Sequence, residues 1–479
     1  MGLREQGKKA MLWSLVIKFL KRGITFIISI FLARLLEPSD FGLLAMISVF
    51  TVFAEVFYDL GMGQALVQKK TVTETQYSTV FYINLVLGVL VYVVMWFSAP
   101  YIALFYDAEI LVNIVRVSTL TFVISSVSIV NIVFIRRSLE YSFFVRATVM
   151  SSTLSGIVGI GMAYLGYGVW SLVFSGIVYS LVRTVVLWVL TSWYPKAVFD
   201  LKSIKDIWKK GLGFLNLGII NTIISRLDNL VIGKIFDAGT LGLFNRAKSL
   251  EELPQNTFIL PISQPMFPIF SQLQSSLSKI EESFFQLLHL LNFLTILIFG
   301  VMYLSAENLV VILYSEKWIE SVPYLRILLF LLPLFPFSVL VTSLLKGIGN
   351  IRMLTYLTIF DRSAIFFAMI FGIKYGLIEY LYAFVGFKYL SYFFRLIVIQ
   401  KYVNLSSMVA LISILKLGGI VTVLYVLLRY IELDSMVVEF LFRTVAFVLL
   451  FVGGGYLFNI EGFRYAKNEV KTLWKGHFS

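Results

Sequence analysis

The sequence predicts an all-α polytopic membrane protein with about fourteen transmembrane helices, and three observations support this fold class. Of its 479 residues, 59% are hydrophobic and 14% are charged, with a mean hydropathy of +0.89. Apolar runs of about 20 residues, the length that spans the hydrocarbon core as a helix, follow one another from end to end. The polar segments between them are short and leave no room for a soluble domain, so we expect the function to lie within the membrane.

The residue types that the chain lacks exclude several kinds of site. It has no cysteine, which excludes disulfides, thiol catalysis and cysteine metal ligands. His289 and His477 are its two histidines, too few for a histidine-rich metal centre. The phosphate-binding pattern G-x-x-x-x-G-K-[ST] does not occur in the sequence, so no nucleotide site is predicted. We expect no cofactor.

The formal net charge of +13 indicates membrane topology rather than nucleic-acid binding, because the charge lies at helix ends. Basic residues gather on one side of the predicted spans, from Arg4, Lys8 and Lys9 near the start to Lys475 near the end. The loops on the opposite side lean acidic. Since cytoplasmic loops of membrane proteins are enriched in Lys and Arg, both termini are predicted to be cytoplasmic.

An internal repeat divides the chain into two related halves. Residues 28–42 (ISIFLARLLEPSDFG) align without a gap on residues 228–242 (DNLVIGKIFDAGTLG), which pairs Gly42 with Gly242. Each half holds six predicted helices, an even number, so both enter the membrane from the same side as parallel, pseudo-twofold repeats. We expect the transport pathway in the cleft between them.

This repeat predicts four segments along the chain. Residues 1–194 form an N-terminal lobe of six helices, and residues 195–211 form a cytoplasmic amphipathic linker. Residues 212–402 form a C-terminal lobe of six helices. Residues 403–479 add two helices and a basic cytoplasmic tail.

Two local patterns predict irregular helices. In the linker, Ile204, Ile207 and Trp208 form an apolar stripe beside several lysines, which is typical of a short helix lying on the inner leaflet. The eighth predicted span contains four prolines, each of which removes a backbone donor and clashes with the preceding turn, so it should be kinked or interrupted. Such a break serves either as a hinge or as a static kink. The prolines are Pro254, Pro261, Pro265 and Pro268.

Cationic side chains occur inside the predicted spans and indicate an anion-binding cavity. In the first span Lys18, Lys21, Arg22 and Thr25 follow helical spacing and share one face. A charge at the centre of a membrane helix costs roughly 2.5 to 3.5 kcal/mol, so this face should meet water, protein or an anion rather than lipid. Over the whole chain the mid-span cations outnumber the mid-span acids. The predicted cavity residues are Lys18, Lys21, Arg22, Arg183, Arg226, Arg246, Lys248, Arg362 and Lys388.

Acidic residues within the spans have two interpretations that the sequence leaves open. Glu55 and Asp59 are four residues apart, which places them on one face of the second span. They either form buried ion pairs with the cations of the first span or titrate as a site coupled to an H⁺ or Na⁺ gradient. The same alternatives, counter-ion or coupling site, apply to Asp228 and Asp361.

Seven stretches, in order over most of residues 1–350, carry a family resemblance. They are LARLLEPSDFGLLAM (32–46), DLGMGQALVQKK (59–70), STVFYINLVLG (78–88), GYGVWSLV (166–173), DNLVIGKIFDAGTLGLFNRAKSLEELP (228–254), FPIFSQLQ (267–274) and EKWIES (316–321). In these stretches the chain resembles the polysaccharide-transporter branch of the multidrug/oligosaccharidyl-lipid/polysaccharide (MOP) flippase superfamily. It is most similar to the Wzx-type group of colanic-acid and teichuronic-acid exporters.

The resemblance implies a fold and a function. It implies two six-helix lobes in a V, as in multidrug antiporters of the superfamily, opening alternately to cytoplasm and periplasm. It implies that the protein flips undecaprenyl-diphosphate-linked oligosaccharide units across the cytoplasmic (inner) membrane for O-antigen or exopolysaccharide assembly, and that it is not an enzyme. The implied partners are this lipid-linked substrate, membrane lipids, and the polysaccharide polymerase and chain-length machinery, with no nucleic acid or nucleotide.

Two other functions are kept as alternatives. A cation-coupled drug or small-molecule antiporter of the same superfamily should have an acidic cavity, which the basic excess disfavours. A membrane polymerase or ligase of the polysaccharide pathway should carry a sizeable extracytoplasmic loop with acids or histidine, and no such loop is predicted.

Overall fold

The structure is a computed structural model that describes residues 20–403, 407–465 and 467 of the chain. Within these ranges it consists of helices and their connections, without a β-strand, which confirms the predicted all-α class. The chain divides into two compact units, Met1–Gly242 and Leu243–Ser479.

Apolar runs and local capping set the helices of the first unit. The 33-residue helix from Glu74 begins with a capping box, in which the Gln76 N–H donates to Thr73 Oγ1 at 3.3 Å and the Thr73 N–H donates to Gln76 Oε1 at 3.2 Å. The helices are α1 (20–35), α2 (Pro38–Asp59), α3 (Met62–Gln68), α4 (Glu74–Tyr106), α5 (Leu111–Ser118), α6 (Leu120–Ser126), α7 (Ile129–Ser138), α8 (Tyr141–Tyr164), α9 (Val169–Leu190), α10 (Lys205–Ile235) and the first turn of α11 (Ala238–Pro254).

The second unit continues α11 and contains the predicted interruption. After Pro254 the helix passes into a π-helical turn, Gln255–Ile259, and then into two short helices, so the prediction of a broken eighth span is confirmed. The remaining helices are α12 (Leu260–Ser263), α13 (Met266–Gln272), α14 (Leu277–Leu304), α15 (Ala306–Tyr314), α16 (Ser321–Leu329), α17 (Phe335–Gly347), α18 (Ile351–Tyr375), α19 (Leu377–Val403), α20 (Ser407–Leu428) and α21 (Met436–Leu457).

Ten spans among the described residues are long and apolar enough to cross a membrane. An eleventh is obtained if α5–α6 and α7, which meet at a 45° bend, count as one span. The difference from about fourteen has local causes. The first predicted span begins outside the described residues, the side chains of residues 212–225 in α10 are not described, and the eighth predicted span is interrupted after Pro254.

The predicted linker does not form a separate surface helix. Lys202–Ile204 make one 3₁₀ turn and α10 begins at Lys205, so the linker runs directly into a 31-residue helix. Ile204 and Ile207 are buried in a cluster with Met62 and Leu66 of α3, and Trp208 stays exposed. Two of the three residues of the apolar stripe therefore pack against α3 rather than facing lipid.

Arg137 at the end of α7 fixes the end of α3. Its guanidinium donates to the backbone carbonyl oxygens of Leu66 at 2.8 Å and of Lys70 at 3.1 Å, and also contacts that of Lys69. These carbonyls have no partner within α3 because a helix leaves its last four unpaired. A cation at this end also interacts favourably with the helix dipole.

The two aligned glycines of the repeat pack reciprocally within the first unit. A Cβ on Gly42 would lie 1.6 Å from the backbone oxygen of Ala238, and a Cβ on Gly242 would lie 1.9 Å from that of Pro38. Pro38 and Ala238 are themselves aligned in the repeat. The first turns of α2 and α11 therefore cross at backbone contact, and glycine is required at both positions.

Small residues also permit close packing of α8 on its neighbours. The Ser175 hydroxyl of α9 donates to the Ser155 backbone oxygen at 3.0 Å, and a Cβ on Gly159 would lie 3.1 Å from Ser175. A Cβ on Gly156 would lie 2.3 Å from Ile28 of α1. Gly161 in the same helix has no heavy atom within 4 Å of its Cβ position, so it takes no part in this packing.

In the second unit α14 packs against α17, α20 and α21, while α19 packs against α16, α17, α18 and α20. The turn between α20 and α21 is held by Arg443, whose Nη1 lies 2.6 Å from Glu439 Oε1 and whose Nη2 donates to the backbone oxygens of Arg429 and Ile431 at 3.1 and 2.8 Å. Asn308 of α15 donates to the same Glu439 oxygen at 3.2 Å. This network ties the C-terminal helix pair to α15.

Candidate functional site

The first cationic group lies on α1 and α9. Lys21 Nζ lies 5.9 Å from the centre of the Tyr179 ring, a cation–π contact. Arg183 follows Tyr179 by one helical turn, so it lies on the same face of α9. Arg22 is exposed beside Lys21. Lys18 lies outside the described residues.

A second polar group lies where α2 and α10 pack together. Asn229 Nδ2 donates to Ser48 Oγ at 3.3 Å, and the neighbouring Asp228 is 6% exposed. Two residues earlier, Arg226 is close enough for its charge to act on the Glu55 carboxylate. Glu55 therefore has a cationic neighbour on α10, whereas the sequence predicted its partners on the first span.

Asp59 has a local structural role. Its Oδ1 accepts a hydrogen bond from the Gly63 N–H at 2.9 Å, so the carboxylate caps the first turn of α3. The charge of Arg136 also acts on it. The sequence placed Asp59 near the middle of the membrane, and in the structure it is the last residue of α2. The structure thus shows a capping role for Asp59, and its place in the cavity stays a prediction.

In the second unit Arg246 lies against aromatic rings. Its guanidinium carbon is 5.4 Å from the centre of the Tyr314 ring and 5.6 Å from that of Trp318, both buried. Lys248, two residues later, lies 5.6 Å from the Phe244 ring centre. Both predicted cations of α11 therefore lie beside aromatic rings.

Glu251 was not among the predicted site residues, although α11 buries it completely. Its carboxylate accepts a hydrogen bond from the Gln255 side chain in the π-helical turn and interacts with the charges of Lys248 and Glu252. The sequence offered one signal for this site, namely two adjacent acids just before the proline-rich break. Hydropathy does not reveal which of the two points inward.

The α18–α19 pair holds the third charged group. Lys388 Nζ lies 2.8 Å from Asp361 Oδ2, and the Ser391 hydroxyl donates to Asp361 Oδ1 at 3.0 Å. Arg395 Nη2 lies 4.0 Å from the same Oδ1. Asp361 is therefore a counter-ion for α19, which is one of its two predicted roles. The adjacent Arg362 is exposed on α18.

The structure thus places the predicted cations in separate surroundings: Lys21 beside Tyr179, Arg226 near Glu55, Arg246 beside Tyr314 and Trp318, Lys248 beside Phe244, and Lys388 beside Asp361. Cations next to aromatic rings and buried polar groups bind anions through charge and hydrogen bonds. In the part of the chain that the structure describes, no three His, Asp or Glu side chains come together to hold a metal ion.

Comparisons with known proteins bear on the family and the fold of the chain. The family model described as "Polysaccharide biosynthesis protein" matches residues 31–323. The teichuronic acid biosynthesis protein TuaB of Bacillus subtilis (strain 168) is 29% identical over 282 residues, which are 58% of this chain and 58% of that protein. The match thus spans less than two thirds of that relative.

The lipopolysaccharide biosynthesis protein WzxC of Escherichia coli (strain K12) is 24% identical over 73% of this chain and 69% of its own length. Among solved structures, the lipid II flippase MurJ in an inward closed conformation has a TM-score of 0.75 at 15% identity, covering 94% of this chain and 98% of its own. An inward-facing multidrug resistance transporter of the MATE family and MOP superfamily has a TM-score of 0.61 at 15% identity, covering 86% of this chain and 98% of its own. At these identities the structural matches establish the fold alone, which the chain shares with these two proteins.

Proposed function

Because this chain belongs to the polysaccharide biosynthesis protein family, we propose that it flips undecaprenyl-diphosphate-linked oligosaccharide units across the cytoplasmic membrane by alternating access. The family match over residues 31–323 is the observation that carries this proposal. Relatives named for teichuronic acid and lipopolysaccharide biosynthesis support it, and so does a fold shared with a lipid II flippase. Both termini are proposed to be cytoplasmic, since basic residues flank the spans on that side.

The proposed diphosphate-binding face in the first unit consists of Lys21, Arg22, Arg183 and Arg226. A diphosphate needs several donors, and arginine offers forked contacts to phosphate oxygens whereas lysine offers a point charge. The contact between Lys21 and Tyr179 holds the ammonium near Arg183 on α9. From its helical spacing to Lys21 and Arg22, Lys18 is predicted to belong to the same face. In the second unit, Arg246 and Lys248 are proposed to contact the same class of anion.

The acids narrow the candidates for ion coupling. Asp361 accepts contacts from Lys388 and Ser391, and Asp59 caps α3, so both carboxylates are used in structure. We propose Glu55 of α2, which lies near Arg226, and Asp228 of α10 as the sites for coupling to an H⁺ or Na⁺ gradient. Their replacement by Gln or Asn should make export insensitive to collapse of that gradient.

Polysaccharide export in a strain deleted for this gene tests the proposal. Arg226→Gln and Arg22→Gln should each abolish complementation while the protein remains in the membrane at normal abundance. Lys70→Gln is the matched control, because it removes an exposed cation from the turn after α3. Export at the level of the unmodified protein in both arginine variants would reject this face as the diphosphate site.

The antiporter alternative is tested by asking whether transport requires an acidic or a basic side chain in the first unit. The fold shared with a multidrug transporter of the MATE family is the observation that keeps this alternative. A drug antiporter would lose cation-driven efflux on Glu55→Gln and would tolerate Arg226→Gln. A flippase of diphosphate-linked sugars would instead lose transport on Arg226→Gln.

A further inference from the structure

The charged group on α18 and α19 contains more positive charge than its single carboxylate can balance. Lys388 Nζ lies 2.8 Å from Asp361 Oδ2 and makes the one close ion pair of the group. Arg395 Nη2 lies 4.0 Å from Asp361 Oδ1, which is too far for a hydrogen bond. Ser391 already donates to that oxygen at 3.0 Å. One carboxylate thus faces two cations, and Arg395 is the less well paired of them.

Arg395 is also deeply buried. Its side chain is 8% exposed, against 20% for Lys388 and 26% for Asp361. Within the described part of the chain, neither Arg395 Nη1 nor the hydroxyl of Tyr392, itself 3% exposed, has a hydrogen-bond partner. The two residues are three apart on α19, so they lie on neighbouring parts of the same helix face. A buried donor without a partner is costly, and a charged one more so.

The surrounding helices do not supply a second acid. The helices packed against α19 are α16, α17, α18 and α20, and Asp361 is the one acidic residue in their described sequences. The acid on α19 itself, Glu379, precedes Lys388 by nine residues, or roughly 13 Å along a helix. The same helices add further cations, including Arg362 and Lys374 on α18. The positive excess is therefore not neutralised by the described protein around it.

We propose that Arg395 and Lys388 of α19, with Tyr392 beside them and Asp361 as the fixed carboxylate, bind one small inorganic anion, chloride in the cell. The donors are an arginine N–H, a tyrosine O–H and a lysine ammonium, which are the donor types that bind an anion in a low-dielectric site. The deep burial of Arg395 favours a single small ion over a diphosphate, which needs room for seven oxygens. This site is independent of the proposed transport function.

Equilibrium dialysis of the purified full-length protein against radiolabelled chloride, with gluconate as the supporting anion, measures the site directly. The expected result is saturable binding of about one chloride per chain, displaced by bromide. Thermal unfolding in the same buffers should show a saturating rise of the midpoint with chloride, because a ligand that binds the folded state alone stabilises it by mass action. Absence of saturable binding up to about 0.1 M chloride would overturn the proposal.

Variants locate the site. Arg395→Gln should remove saturable chloride binding, and Asp361→Asn should retain or strengthen it because it increases the positive excess. Lys374→Gln is the control, since it removes an exposed cation from α18 away from the group. If Arg395→Gln does not fold, Arg395→Lys keeps the charge and loses Nη1, and should bind chloride at least tenfold more weakly. Unchanged binding in the folded arginine variant would refute the assignment.

Competition by pyrophosphate tests whether the group binds a phosphate-bearing ligand instead of chloride. If pyrophosphate displaces chloride from the unmodified protein at lower concentration than bromide does, and Arg395→Gln removes this effect, the group binds a phosphate-bearing ligand and the chloride assignment is wrong. Displacement by halides with no effect of pyrophosphate supports the proposal.

Discussion

Replacing Gly42 by alanine should separate two helices that now touch through their backbones. The new Cβ would lie 1.6 Å from the Ala238 carbonyl oxygen, inside any possible contact distance. That oxygen belongs to the first turn of α11, so it cannot move away as a flexible side chain would. The helix ends would have to separate by roughly 2 Å, and overpacking of a well-packed interface costs about 1 to 3 kcal/mol or more. We expect a loss of about 3 kcal/mol, the upper end of this range.

The reciprocal glycine provides an internal check of the magnitude. A Cβ on Gly242 would lie 1.9 Å from the Pro38 oxygen, so Gly242→Ala should cost a similar amount. Both substitutions force apart the same pair of helix ends, and the double variant should therefore cost clearly less than the sum of the single ones.

Thermal unfolding of the purified variants measures these differences. Gly161→Ala is the matched control, because no heavy atom lies within 4 Å of its Cβ position and alanine is favoured over glycine in a helix by about 1 kcal/mol. It should leave the midpoint unchanged or raise it. A midpoint for Gly42→Ala equal to that of Gly161→Ala would refute the backbone contact between α2 and α11.

Three further predictions follow from other contacts. Arg137→Gln should lower the free energy of unfolding by about 2 kcal/mol because it removes charged donors from the carbonyls at the end of α3. Arg136→Gln, at the neighbouring exposed position, is the control and should change the thermal midpoint little. Arg443→Met should cost about 3 to 5 kcal/mol because it leaves the largely buried Glu439 carboxylate without its cation, and adding Glu439→Leu should recover most of the loss in thermal unfolding. An unchanged midpoint for Arg443→Met would show that the pair contributes nothing. Reporter fusions should be active in the periplasm after residue 434 and in the cytoplasm at the C-terminus, and the reverse pattern would contradict the proposed topology.

Features that depend on pattern along the chain could be predicted from the sequence. The repeat in the sequence pairs Gly42 with Gly242, and in the structure each of these residues packs against the other's helix. A proline removes a backbone donor wherever it occurs, so the break after Pro254 was predictable. The matching motifs that run from residue 32 to residue 321 indicated the family because they recur in order and at fixed spacing.

Features that depend on a neighbour across the fold could not be predicted. Glu55 was expected to pair with cations of the first span, yet the cation whose charge acts on it is Arg226 of α10. Ile204 and Ile207 were assigned to a membrane surface, since their spacing does not tell a lipid leaflet from the side of α3. Hydropathy likewise gave no reason to expect the buried carboxylate of Glu251 at the π-helical turn.

We propose that cations of the first unit hold the diphosphate of a lipid-linked oligosaccharide while it crosses the bilayer. The most direct test is a translocation assay in proteoliposomes that contain the purified protein and a labelled undecaprenyl-diphosphate oligosaccharide, read out by exposure of the sugar to an added glycosidase. We expect rapid exposure with the unmodified protein and with Lys70→Gln, and exposure at the rate of protein-free liposomes with Arg226→Gln. If the unmodified protein moves this lipid no faster than protein-free liposomes do, under an imposed H⁺ or Na⁺ gradient of either sign, the proposed flippase function is wrong.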